Sequence, residues 1–159
     1  MTDPPAARLG RATLGNSAWY RDQLITFLAI GEDTDGHYSV LRVRVAQGAQ
    51  ETPHYHTHEA ETIYLLEGGL TVLAGEEELC LRSGEVVTIP RGLVHAIRHE
   101  GGEVAFLLQY SPPGFGRYFH ELSEAAQYLG LPPHPTELDP ARLRETAARY
   151  GCVVTEIPP

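Results

Sequence analysis

Cysteine is almost missing from this chain of 159 residues. Its two thiols, Cys80 and Cys152, lie far apart in no metal-type spacing, which excludes a disulfide framework and a thiolate metal cluster. Positive charge is also scarce. Twelve Lys and Arg stand against 21 Asp and Glu, a net charge of −9 that repels phosphate backbones and argues against nucleic acid as a partner. No run approaches the roughly 20 apolar residues that span a bilayer, and the opening MTDPPAARLGRATLGNS has no apolar segment of a secretory signal. The expectation is a cytoplasmic protein with no membrane partner.

Glycine and proline are abundant instead, 16 and 12 residues, above the usual combined share of about 12%. Such punctuation suits short strands joined by tight turns. Hydrophobic residues at 42% and charged residues at 21% are those of a globular chain, and the length is that of one domain over 1–159. Apolar alternation recurs before residue 111 and predicts strands over 24–30, 37–46, 52–58, 61–67, 70–74, 77–82, 85–89, 94–99 and 103–110. In the second of these Leu41, Val43 and Val45 share a face opposite Arg42 and Arg44.

Beyond Ser111-Pro112-Pro113-Gly114 the period becomes helical. One stripe runs through Phe115, Tyr118, Phe119, Leu122, Ala126 and Leu129 to a stop at Gly130 and Pro132. A second helix opens with Asp139 as cap and Pro140 at its first position, buries Leu143, Ala147 and Tyr150, and ends at Gly151. Residues 152–157 read as a terminal strand pairing with a sheet edge of this chain or of another. The class is all-β, with a barrel core over about 20–110 and two C-terminal helices over about 114–151.

The chemistry concentrates in two segments. In the first, His54 and His56 are two apart on a strand and project two imidazoles into one space, and Glu61 opens the following strand after a brief bend. In the second, Gly84-EVVTI-Pro90-Arg91-Gly92 leads through a rigid turn to His95. Three nitrogens and one oxygen can surround one divalent ion. A set without thiolates suits Fe, Mn, Ni, Co or Zn, and four protein ligands leave positions open for other molecules.

Gly48, His54, His56, Glu61 and Gly68, followed by Gly84, Pro90, Gly92 and His95, resemble the two motifs of the cupin superfamily. The departure is His99, where the family usually carries Asn. The resemblance implies a double-stranded β-helix, or jelly roll, with His54, His56, Glu61 and His95 as metal ligands. It is narrower still towards small single-domain bacterial cupins related to quercetin 2,3-dioxygenase, through PHYHTHEAETIYLLEG, PRGLVHAIRH and SPPGFGRYF.

That likeness implies a dioxygenase opening the ring of a flavonol or related enolisable phenolic with dioxygen. Glu61 would be both ligand and general base, a role that requires a pKa raised towards neutrality. It also favours a homodimer. Alternatives are a metal cupin with isomerase or lyase chemistry and a small-ligand sensor. Around the ligands, His58 and Glu59 read as solvated or supporting residues, and His99, Tyr20, Phe27, Tyr38, Ile63, Leu65 and Ile97 as pocket walls or supports. His37, His120 and His134 read as surface or packing residues, Arg91 as solvated, and Phe115, Tyr118 and Phe119 as core packing.

Overall fold

The computed structural model describes residues 6–46, 48, 50–99 and 101–155. In chain order the strands are β1 (Ser17–Tyr20), β2 (Gln23–Ala29), β3 (Ser39–Val45), β4 (His54–His56), β5 (Ala60–Glu67), β6 (Gly69–Ala74), β7 (Glu77–Arg82), β8 (Val86–Ile89), β9 (His95–Arg98) and β10 (Val104–Ser111). Helix α1 (Gly116–Leu122), strand β11 (Glu124–Ala125), helix α2 (Pro140–Arg149) and strand β12 (Cys152–Val154) complete it. The strands form two antiparallel sheets, in the orders β11-β1-β2-β3-β10-β5-β8 and β12-β4-β9-β6-β7. Sequence neighbours β4 and β5 lie in different sheets, as do β9 and β10, so the chain repeatedly crosses over in a jelly roll.

Alternation dictates the core. Leu41, Val43 and Val45 of β3 are buried while Arg42 and Arg44 point outward, as the parity of the sequence requires. Their neighbours on β10, β5 and β6 include Phe106, Leu108, Ile63, Leu65 and Val72, which fill the space between the sheets. Each such side chain contributes about 1.5–3 kcal/mol when fully buried.

The second helix forms as expected. Asp139 Oδ1 accepts the Ala141 N–H at 3.2 Å, Pro140 occupies the first turn, and Gly151 ends the helix at φ +74°, where a side chain would be strained. β12 then pairs with β4 of the same chain, Cys152 opposite His56 and Val154 opposite His54. The reach of that predicted strand to 156–157 lies outside the described residues.

Two readings need correction. The helical stripe does not continue to Leu129: α1 stops at Leu122, because Ser123 turns extended (ψ 159°) and both its N–H and its hydroxyl donate to the Phe119 carbonyl. Glu124 and Ala125 then pair with Trp19 and Ala18 of β1, and Ala126 packs beside Trp19. The helical period of Ala126 and Leu129 arises by coincidence from another packing. Strand β1 itself was unread, since four residues are too short for alternation to register. Its indole N–H donates to the Gly130 carbonyl at 2.8 Å and ties down the returning chain.

Candidate metal centre

Strand parity brings the ligand candidates together. His54 and His56 project from the same side of β4, and His54 stands in register with His95 on β9. Glu61 comes from the opposite sheet, where β5 pairs Glu61 with Ile89 of β8 and Tyr110 of β10. A turn carries the approach to His95. Gly92, at φ +79°, donates its N–H to the His56 carbonyl at 2.9 Å and so locks the β8–β9 connection against β4. The potential donor atoms of His54, His56, Glu61 and His95 all lie within 4.8 Å of one another.

Backbone carbonyls set the imidazoles. Nδ1–H of His54 donates to the Thr52 carbonyl and Nδ1–H of His95 to the Leu93 carbonyl, each at 2.9 Å, so that Nε2 is the atom turned to the centre. Glu61 Oε2 lies 3.1 Å from His95 Nε2, hydrogen-bonded, and 3.0 Å from His56 Nε2. The second contact lacks hydrogen-bond alignment, and neither ring nitrogen of His56 has a hydrogen-bond partner although the residue is 2% exposed. A buried polar group left so costs about 1–3 kcal/mol. That cost is recovered if a cation takes the lone pairs, so the residues present fit a divalent ion. With three nitrogens and a carboxylate, the fit is to a borderline transition metal and does not single one out.

Electrostatics agree with a ligand role. Burial and the neighbouring His95 lower the His54 pKa to about 4, leaving a neutral, donating ring at ordinary pH. His95 is raised, because its contact with Glu61 outweighs the opposing effect of burial. For Glu61, burial alone would push the carboxyl up, but the two imidazoles hold it well below the usual carboxylate range.

The remaining predicted residues separate. Ile63 (0% exposed) and Ile97 (5%) belong to the core, as do Leu65 and Tyr20, with Phe27 packed at its margin. Tyr38 is 41% exposed just before β3 and walls nothing, since the turn through Gly36 delivers it to the surface. His58 is exposed against Gly151, outside the ligand cluster. Its neighbour Glu59 is buried, Oε2 without a hydrogen-bond partner and Oε1 against the Gly114 backbone. His99 is buried with both nitrogens unbonded, and it too stands apart from the four ligands. Phe115 packs edge-on to the His56 ring at 4.4 Å and Tyr110 at 5.4 Å, so the core aromatics also wall the centre. Glu51, beside β9, was not among the sequence candidates. It lies in the irregular stretch before Pro53, where no strand parity marks a face.

Residues 41–109 match the cupin domain family. Quercetin 2,3-dioxygenase of Bacillus subtilis (strain 168) is 28% identical over 117 residues, covering 74% of this chain and 35% of that protein. Germin-like protein 1-1 of Oryza sativa subsp. japonica is 31% identical over 106 residues, covering 63% and 48%. The chain thus spans between about a third and a half of the length of these curated relatives. Among solved structures, a predicted oxalate decarboxylase from Thermotoga maritima aligns with a TM-score of 0.54 at 21% identity, covering 57% of this chain and 80% of that one, a likeness of fold alone. Two crossed-over antiparallel sheets and a buried His3Glu cluster thus accompany the cupin-domain match over residues 41–109, and the fold is that of the cupin jelly roll.

Proposed function

We propose that this cupin is a metal-dependent oxygenase of the kind that quercetin 2,3-dioxygenase represents, acting on a flavonol or a related enolisable phenolic. The observation that carries the reading is the buried donor set of His54, His56, Glu61 and His95, in a chain that aligns with the Bacillus enzyme over 117 residues. One divalent transition ion per chain would supply Lewis acidity and a route for electrons to dioxygen. The protein's own residues then hold and shape the centre. His54, His56 and His95 give neutral nitrogens, with two rings oriented by the Thr52 and Leu93 carbonyls. Glu61 gives the anionic donor. Phe115 and Tyr110 close the side behind His56 and keep water from it.

The test is aerobic turnover of quercetin by protein loaded in turn with Fe(II), Mn(II), Co(II), Ni(II) and Zn(II), read as loss of visible absorbance together with oxygen uptake. Metal-dependent decay that consumes oxygen and disappears in His56→Ala supports the reading. Turnover of a substrate without oxygen uptake turns it to isomerase or lyase chemistry. No decay with any metal, despite stoichiometric binding, removes the flavonol assignment.

A further inference from the structure

An unanswered positive charge lies on the outer face of the seven-stranded sheet, across β3 from the core. Leu41, Val43 and Val45 face inward, so Arg42 and Arg44 emerge on the far side, Arg42 opposite Thr26 and Arg44 opposite Leu24 of β2. These four residues, with Ala12 and Leu129, line a cavity of about 130 Å³. Both segments that wall it are pinned to the sheet. Asn16 Nδ2 donates to the Arg11 and Phe27 carbonyls at 2.7 and 3.0 Å, which holds the stretch before β1 against β2. On the other side Leu129 sits between Tyr128, packed edge-on to Trp19 at 5.0 Å, and Gly130, whose carbonyl takes the Trp19 indole N–H. The cavity is thus built into the fold.

Its charges do not cancel. Arg44 donates to Glu103 Oε1 through Nε at 2.7 Å and again through Nη2, which balances it. Arg42 has no such partner: among the described residues no carboxylate pairs with it, and its Nε is shut off from solvent with nothing to accept its hydrogen. The residue is only half-buried, so its terminal nitrogens are the donors that a guest can reach. An arginine left unpaired at a cavity wall, in a chain of net charge −9, calls for an acceptor. The rest of the lining supplies none, because Thr26 Oγ1 is bonded to Ser17 Oγ at 3.0 Å and Ala12, Leu24 and Leu129 are apolar.

We propose that this cavity is a binding site for a small organic carboxylate, held by the Arg42 guanidinium with its apolar stem against Leu24 and Leu129. Two guanidinium groups and Glu103 leave one positive charge, which a monoanion cancels and a phosphate dianion exceeds. A planar carboxylate also matches the parallel donors of a guanidinium. The volume limits the stem to a few carbons, since benzene fills an apolar cavity of about 150 Å³. The sheet separates this site from the metal centre, so the proposal stands apart from the oxygenase reading.

The experiment titrates zinc-loaded, isotope-labelled protein with sodium butyrate at constant ionic strength and follows it by NMR. The Arg42 Nε–H signal, identified by its absence from Arg42→Gln, and the backbone amides of Leu24, Thr26 and Leu129 should move together and saturate, with a Kd of about 1 mM. Butyramide, the uncharged isostere, should move none of them. Arg42→Gln should bind butyrate at least about tenfold more weakly.

Equal binding of the amide, or wild-type affinity in Arg42→Gln, overturns the proposal. Tighter binding of inorganic phosphate overturns the carboxylate assignment. Butyrate that shifts only the rings of His54, His56 and His95 is ligating zinc, and that result overturns the site as well. If the variant fails to fold, wild type decides alone: shifts of Leu24 and Thr26 that do not saturate by about 0.1 M butyrate overturn the proposal.

Discussion

The hydroxyls of Tyr20 and Tyr118 meet at 2.8 Å, joining the end of β1 to α1 across 98 residues of sequence. Both residues are buried, 7% and 8% exposed, with ring centroids 5.9 Å apart. Tyr118→Phe preserves the ring packing but leaves the Tyr20 hydroxyl buried without its partner. Such a group costs about 1–3 kcal/mol, and in a domain of this size each kcal/mol lowers the Tm by about 2–4 °C. The expected fall is therefore about 2–12 °C, and Tyr20→Phe should behave alike.

The double variant is the informative one. With both hydroxyls gone, two phenylalanine rings of the same shape face each other with no orphaned group, and stability should return close to wild type. Thermal and urea unfolding of the four proteins measures this as a coupling equal to the sum of the two single losses, about 2–6 kcal/mol. A double variant as unstable as the sum of the two singles would refute the reasoning, since the hydroxyls would then act independently. The metal-dependent rise in Tm should survive in all three variants, because neither hydroxyl is bonded to a ligand. Phe115, stacked on Tyr118 at 4.7 Å and edge-on to His56, is the route by which any loosening of α1 would reach the centre.

Metal binding should raise the Tm by mass action, about 4 kcal/mol at a thousandfold excess over Kd, and His56→Ala should abolish that rise in a scan with and without Zn(II). Gly151→Ala combines a left-handed φ of +74° with a new Cβ only 2.7 Å from Thr57 Oγ1, and a loss of about 1–2 kcal/mol or more in urea unfolding is expected. With a thiol reagent the native protein should react at one cysteine, exposed Cys80, and at two after denaturation. Burial pushes the Cys152 thiol up to about 12 and removes it from reach.

Much of the strand framework was legible because its signal is local. Period-two alternation in 37–46 and 77–82 and the turn glycines between them mark strands wherever one face meets a core. The second helix declared itself through Asp139, Pro140 and Gly151, since caps are settled within a few residues. β1, β11 and the end of α1 were hidden for the opposite reason. β1 is too short for alternation to register, β11 depends on a partner more than a hundred residues away, and α1 ends on a hydroxyl turned back on its own helix, none of which period counting detects.

The ligand set followed from the sequence through spacing and resemblance: two imidazoles two apart on a strand, a carboxylate opening the next, and a third imidazole behind a rigid turn. Tertiary structure decided what surrounds them. Two imidazoles from the opposite sheet hold Glu61 well below the usual carboxylate range against the upward push of burial, a consequence of distant groups meeting in a region of low dielectric. It also sends Tyr38 to the surface, encloses Glu59 and His99, and sets Glu51 against β9 beside His95. Residue identity and spacing select which donors can share a strand face. Which acids and bases stand near them, and in which protonation state, is settled only when distant segments exclude water from the same space.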